Sequence, residues 1–235
     1  NRNNIRLFEG EGKLLMFAML VCAAYSILRV MRCDIILEHE KIYSLIPGLK
    51  LLGGYLAKDI GAGFFDNALW GGYIYVTAVV LSSILEGRYD SEHGYYFSRC
   101  GITVYNRGNI FLCLIMTVGL ELIQWMIFVL YGDALKTLPY NEEDLAYFLW
   151  YAGLHLICVY MHVLITWLIN ILITGYLRFL IPALIITVEI YITCMYSETE
   201  LWWCPVSDIS YFHLESGNYL LYTFFIIVIC AATGA

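Results

Sequence analysis

Long apolar runs separated by polar segments constrain this sequence more than any other feature. A helix needs about 20 mostly apolar residues to cross the ~30 Å hydrocarbon core of a bilayer, and fewer where flanking Lys or Arg side chains reach the interface. Runs of this kind are Leu14–Leu28, Leu69–Leu85, Ile110–Tyr131, Leu145–Ile169, Gly175–Cys194 and Tyr219–Ala235. We therefore expect an all-α fold: a polytopic membrane helix bundle of about six transmembrane helices, forming a single transmembrane domain over residues 1–235.

The composition supports a membrane environment. Hydrophobic residues make up 61% of the chain and charged residues 14%, whereas soluble proteins average roughly 45–50% and about 25%. A soluble chain of this length could not bury so much apolar surface. The net charge of -7 also argues against a nucleic acid as partner, which would require a basic face. We expect membrane lipids to surround the protein.

Three segments outside the predicted spans have distinct compositions. Residues 1–13 carry Arg2, Arg6 and Lys13 and are predicted to be an interfacial N-terminal segment. Residues 33–68 are rich in glycine, with apolar stretches too short to span, and favour short interfacial or re-entrant helices. Residues 195–218 include Trp202 and Trp203, which suit an outer re-entrant loop at headgroup level.

The polar segment 86–109 carries a recognisable pattern. Glu86 closes the second predicted span, and the segment then contains an aromatic run, Tyr95 to Phe97, among Glu92, Gly94, Ser98, Arg99 and Arg107. This arrangement resembles the loop between the second and third helices of ABC type-2 permeases, the membrane subunits of one class of ABC transporters. The overall layout of about six spans is similar as well. The chain departs from the family in His93, in Cys100 and in its long first outer segment.

The resemblance implies a specific set of partners. In the family, this loop is a cytoplasmic coupling helix that docks on a separate ATPase, so Glu86, Glu92, Gly94, Tyr95, Tyr96, Ser98, Arg99 and Arg107 would couple to that subunit. Two permease subunits, identical or different, would work with two ATPase subunits to export a lipid, a peptide or a drug-like molecule. The protein would lie in the plasma membrane with both termini cytoplasmic. Lys and Arg divide almost evenly between the two sides, so the positive-inside rule does not decide the orientation.

The chain has no Gly-x-x-x-x-Gly-Lys-Ser/Thr motif, so ATP and Mg²⁺ would bind to the partner ATPase and no cofactor is expected in this chain. We predict no catalytic residue and no enzymatic activity, because no serine-elbow or zinc-protease motif is present. Two alternatives remain open. The protein could be a non-transporting membrane scaffold, its polar loop simply solvated, or an intramembrane enzyme. Glu142 and Glu143 are similar to the paired glutamates of prenyl-protein-type proteases, but no arginine follows them shortly.

Carboxylates inside the predicted spans form a second candidate site. A charge at the bilayer centre costs about 2.5–3.5 kcal/mol on insertion scales, so Glu121 and Glu189 should face protein or an aqueous path. Gln124 and Thr117 share a helix face with Glu121. These residues could line a substrate path or a subunit interface. Alternatively, Gln124 or a nearby hydroxyl could satisfy a protonated Glu121 that holds helices together. No basic partner is obvious for either glutamate.

Two further patterns involve cysteine and histidine. His155, Cys158 and His162 share one helix face, but the two histidines lie ~10 Å apart along the axis, too far for one ion. We predict polar contacts between helices there and no metal site. Cys194 and Cys204 both fall near the outer loop, where a disulfide is possible and free thiols are the alternative.

Overall fold

The computed structural model describes residues 12–29, 31, 68–86, 102–134 and 142–195. Within these residues the chain forms five helices and no strand. We number them in chain order: α1 (Gly12–Arg29), α2 (Ala68–Glu86), α3 (Ile102–Ala134), α4 (Glu142–Leu172) and α5 (Leu177–Met195). The described part of the chain is therefore all-helical, as the apolar runs predict.

Four helices of the described part are long and apolar enough to cross a membrane. The qualifying stretches are Gly12–Arg29, Ala68–Glu86, Val104–Phe128 and His155–Leu172, and each overlaps one of the first four predicted spans. The fifth predicted span corresponds to α5. The sixth, Tyr219–Ala235, lies outside the described residues, as do 1–11, 33–67 and 196–218, so the total of six spans stays a prediction.

Helices α3 and α4 are longer than the bilayer core requires. They contain 33 and 31 residues, which corresponds to about 50 Å and about 47 Å of helix. Helix α3 begins at Ile102 instead of the predicted Ile110, and α4 begins at Glu142 instead of Leu145. The apolar pattern marks only the part of a helix that lipid can surround, so it misses turns that project beyond the hydrocarbon. Arg107 consequently lies on α3 and not in a loop.

Helix α2 is the centre of the bundle. Its Tyr73 side chain contacts α1 and α3, and its Trp70 side chain contacts α4. A second contact with α4 joins Ser82 to Asn170, so α2 and α4 run parallel. Helix α5 lies antiparallel to α2, because its end near Ile190 meets the start of α2 and its first turn meets the end of α2. Contacts with the other four described helices make α2 one of the most buried spans.

The distribution of polarity is the reverse of that in a soluble bundle. Large apolar side chains cover the outside of α1 and α3, including Phe17, Leu20, Phe111, Leu122 and Leu130. Polar side chains lie inside, namely Ser26, Arg29, Thr77, Ser82, Asn109, Thr117, Glu121, Gln124, His155, His162, Thr166 and Asn170. Polar groups facing the bundle and apolar groups facing outward are what a hydrocarbon surrounding requires.

A tight turn connects α4 to α5. Residues 173–176 reverse the chain, and Gly175 has a φ of 78°, a left-handed conformation that glycine adopts without a steric penalty. The turn places Arg178, in the first helical turn of α5, beside Glu86 at the end of α2, with 2.7 Å between Nη1 and Oε1. The ends of α2 and α4 and the start of α5 thus lie at one end of the bundle.

Gly71 allows α2 and α5 to approach closely. A β-carbon at this position would overlap the Ile190 side chain and crowd that of Ile186. The neighbouring Gly72 faces outward, and a β-carbon there would meet nothing within 4 Å. Small residues at such positions are a common device for packing helices in membranes.

We expect Gly71→Leu to lower the stability of the bundle and Gly72→Leu to leave it nearly unchanged. Overpacking of a close contact costs about 1–3 kcal/mol, whereas the side chain at residue 72 would enter open space. The measurement is the melting temperature of each purified variant in the same detergent. Equal losses in the two variants would contradict the close α2–α5 packing.

Candidate functional site

Glu121 lies where four helices meet. Helix α3 places its side chain in the interior, with 3% of the residue exposed. One carboxylate oxygen, Oε1, accepts a hydrogen bond from the Tyr73 hydroxyl of α2 at 3.0 Å. The other, Oε2, lies 2.8 Å from His155 Nδ1 of α4. Glu121 therefore has polar partners on two other helices, which is how a carboxyl group can be accommodated away from water.

The tautomer of His155 follows from its second neighbour. The Trp70 indole N–H donates to His155 Nε2 at 3.1 Å, and an indole nitrogen can only donate. Nε2 must therefore be unprotonated. Since a neutral imidazole carries one N–H, that proton is on Nδ1, and it is donated to Glu121 Oε2. His155 is held neutral for as long as the Trp70 contact persists.

Helix α1 completes this cluster. The rings of Tyr25 and Tyr73 stack with their centroids 4.5 Å apart. The Cys22 thiol donates to the Leu120 carbonyl at 3.2 Å, and its sulfur lies 3.8 Å from the Tyr73 hydroxyl oxygen. The Tyr73 hydroxyl thus has two acceptors within reach, one on α3 and one on α1. We call Cys22, Trp70, Tyr73, Glu121 and His155 the Glu121 cluster.

A second carboxylate–imidazole pair joins α4 to α5. His162 Nε2 lies 2.9 Å from Glu189 Oε2, and His162 Nδ1 lies 2.8 Å from the Cys158 carbonyl oxygen. A carbonyl oxygen can only accept, so Nδ1 of His162 carries a proton. Nε2 and Oε2 then share one further proton, since two lone pairs would otherwise face each other at this distance.

The helix face of α3 that was predicted to carry Thr117, Glu121 and Gln124 lies in the interior of the bundle. Thr117, Glu121 and Gln124 are all almost fully buried. Gln124 does not satisfy Glu121: neither of its amide atoms has a hydrogen-bond partner among the described residues. Thr117 bonds to the Cys113 carbonyl of its own helix. The partners of Glu121 are instead Tyr73 and His155.

The two histidines of α4 were predicted to make polar contacts between helices, and each does so with a different glutamate. These pairings were not predicted from the sequence, and neither were the roles of Cys22, Trp70 and Tyr73. A usable signal was present, since two histidines two turns apart on one helix face match two intramembrane carboxylates on the flanking helices. In the described part of the chain, no group of three or more His, Cys, Asp or Glu side chains could hold a metal ion.

The residues of the predicted coupling loop are only partly within the described structure. Glu86 ends α2 and contacts Arg178, and Arg107 is exposed on α3. Cys194 lies in the last turn of α5. Outside the described residues lie Glu92, Gly94, Tyr95, Tyr96, Ser98, Arg99 and Cys204. The possible disulfide between Cys194 and Cys204 stays a prediction.

No family model, curated protein or solved structure matches this chain.

The Glu121 cluster predicts a large difference between two tyrosines of α2. Tyr73→Phe keeps the stack on Tyr25 but leaves a buried carboxylate oxygen without its donor, at a cost of about 1–3 kcal/mol. Tyr75 donates to the Phe179 carbonyl in an exposed position, so Tyr75→Phe should have a much smaller effect. Melting temperatures in detergent measure both. Equal decreases in melting temperature for the two variants would show that the buried Tyr73–Glu121 hydrogen bond stabilises the protein no more than the exposed Tyr75 bond.

Proposed function

We propose that this protein is the membrane-spanning permease subunit of an ABC exporter, driven by separate ATPase subunits that dock on the loop between α2 and α3. The observation that carries the proposal is the contact between the two helices that flank this loop. Tyr73 of α2 donates a hydrogen bond to Glu121 of α3 inside the bundle. A force applied to the loop would act on both helices and so on the polar centre of the bundle.

A second contact supports the same mechanism. The loop begins directly after Glu86, whose carboxylate contacts the Arg178 guanidinium of α5. Because α5 is joined to α4 by a four-residue turn, a displacement at residue 86 would also reach the α4–α5 pair. The loop therefore begins at a point tied to three helices, which suits a segment that transmits motion from a docked partner.

The interior of the bundle supports a transport role. Glu121 and Gln124 are buried polar side chains one helical turn apart, and the Gln124 amide has no partner in the part of the chain that the structure describes. An unpaired buried amide costs about 1–3 kcal/mol, so stability alone does not account for it. Contact with a polar substrate group during passage would account for it.

The partners, the assembly and the membrane location are those that the resemblance to ABC exporters implies. ATP and Mg²⁺ bind to the partner ATPase, two permease subunits assemble around the substrate path, and the plasma membrane holds the complex with both chain termini cytoplasmic. The end of the bundle formed by Glu86 and Arg178 then faces the cytoplasm. The exported molecule is a lipid, a peptide or a drug-like compound.

A non-transporting scaffold is the second candidate. The paired polar side chains of α2, α3 and α4 also hold helices together without any transport. The scaffold requires no ATPase and no movement of the loop. The two candidates therefore differ in what binds to residues 87–101.

An ATPase should co-purify with the tagged full-length protein from its native membrane, in stoichiometric amount and active in ATP hydrolysis. Replacing Tyr96 with Ala and Arg99 with Glu should release it, because the aromatic face and the cation of the loop would form the docking surface. Lys13→Glu reverses a charge on the same predicted side and should leave the complex intact. Absence of any ATPase, or undiminished co-purification after the loop substitutions, would favour the scaffold.

The Glu86–Arg178 contact allows a charge-swap test of coupling. Glu86→Arg and Arg178→Glu each place like charges together and should lower ATP hydrolysis by the reconstituted complex several-fold. The double variant restores opposite charges and should recover most of the activity. Because this pair is partly exposed, each single change should cost only about 0.2–1 kcal/mol of stability, which melting temperatures can verify. Failure of the double variant to recover would mean that the contact does not transmit the loop's movement.

A further inference from the structure

Helix α4 carries two carboxylate–imidazole pairs that look alike and differ in their chemistry. His155 pairs with Glu121 and His162 pairs with Glu189, at 2.8 Å and 2.9 Å. The difference lies in what the second nitrogen of each imidazole contacts. That neighbour is a donor for His155, the Trp70 indole, and an acceptor for His162, the Cys158 carbonyl.

The pair of His162 and Glu189 keeps one shared proton and stays neutral overall. If the proton lies on the carboxyl group, both residues are neutral. If it lies on Nε2, an imidazolium faces a carboxylate and the charges cancel. Loss of this proton would set the lone pairs of Nε2 and Oε2 against each other. This pair therefore serves as a stable contact between α4 and α5.

The pair of His155 and Glu121 behaves differently, because His155 cannot accept a proton on Nε2 while Trp70 donates to it. Its Nδ1–H donates to Glu121 Oε2 whether or not the carboxyl group is ionised. The oxygen at which a new O–H finds an acceptor is the other one, Oε1, which faces the Tyr73 hydroxyl. The charge of the pair is then -1 or 0, with no third possibility.

Both charge states have a complete set of hydrogen bonds. In the ionised state the Tyr73 O–H donates to Glu121 Oε1. When a proton binds to Oε1, the new O–H donates to the Tyr73 oxygen, and the Tyr73 O–H rotates towards the Cys22 sulfur, 3.8 Å away. The Cys22 S–H already donates to the Leu120 carbonyl, so its sulfur is an acceptor. One O–H bond forms at Oε1 while a hydronium ion of the surrounding water gives up one of its own, and the Glu121, Tyr73 and Cys22 groups each keep a hydrogen-bond partner.

We propose that Glu121 is a proton-binding site inside the bundle, which takes up and releases one proton at Oε1, and that Glu189 is not. The titratable and charged groups on the helices around it are Cys22, Tyr25 and Arg29 of α1, Tyr73 of α2 and His155 of α4, with the His162–Glu189 pair between α4 and α5. Tyr73 and His155 offer hydrogen-bond partners to both charge states of the carboxyl group. The site is built from contacts among α1–α4 that require no ATPase, so its tests do not depend on the docking proposed above.

Infrared difference spectroscopy on the full-length protein in lipid vesicles tests the site directly. Between acidic and alkaline buffer, the wild-type protein should convert one buried carboxylic acid to carboxylate, seen as loss of a C=O stretching band. Glu121→Gln should remove this conversion, and Glu189→Gln, the matched control, should retain it. A buried titrating band that survives in Glu121→Gln, or that is absent from the wild type, would overturn the proposal.

Nitrogen NMR supplies a test that does not require the Glu121 variant to fold. With ¹⁵N-labelled histidine, His155 should stay neutral and Nδ1-protonated over the pH range in which Glu121 titrates. Trp70→Phe keeps the aromatic ring but removes the donor that blocks Nε2. At a pH where the wild-type carboxyl is protonated, this variant should show a His155 imidazolium and a weaker C=O band. A doubly protonated His155 in the wild type, or no change in Trp70→Phe, would refute the assignment.

Discussion

A hydrogen-bonding group surrounded by hydrocarbon must find its partner within the protein, and the architecture of this bundle depends on that constraint. Apolar contacts distinguish poorly between a neighbouring helix and a lipid tail, so they do not by themselves select which helices pair. The polar contacts do. Trp70 and Tyr73 bind to His155 and Glu121, and Ser82 accepts from Asn170. Trp70, Tyr73 and Ser82 all belong to α2, and their hydrogen bonds hold α3 and α4 against this central helix.

The same constraint gives two similar residue pairs different roles. A histidine has two ring nitrogens, and the partner of one determines what the other can do. The Cys158 carbonyl fixes a proton on one nitrogen of His162, so the other must share a proton with Glu189. The Trp70 indole keeps a proton off one nitrogen of His155, so the other donates to Glu121 and the proposed change of protonation lies on the carboxyl group. Neither outcome is visible in the identities of the paired residues, because both pairs are Glu and His.

The fold was more predictable from sequence than the site. Apolar runs located α1, α2 and α5 to within a residue or two, because lipid exposure imposes its own composition on a span. They missed the first two turns of α3, from Ile102 onward, because those turns project beyond the apolar stretch. Helical periodicity put Thr117, Glu121 and Gln124 on one face, and all three are buried. It left both glutamates without a partner, because His155 and His162 lie on another helix and only the packing of α4 against α3 and α5 brings them close.

The Glu121 cluster would link proton binding at Glu121 to the distance between α1 and α2. In the ionised state Tyr73 donates one charge-assisted bond to α3. In the protonated state it accepts from Glu121 and donates to Cys22, so that α1, α2 and α3 form one hydrogen-bonded chain. A movement that separates α1 from α2 would break the Cys22–Tyr73 contact and so favour the ionised form of the proposed site. By thermodynamic linkage the converse must hold with the same free energy: proton binding draws α1 and α2 together. Since the polar loop begins at the end of α2, a force on that loop and a proton at Glu121 would act on the same contact.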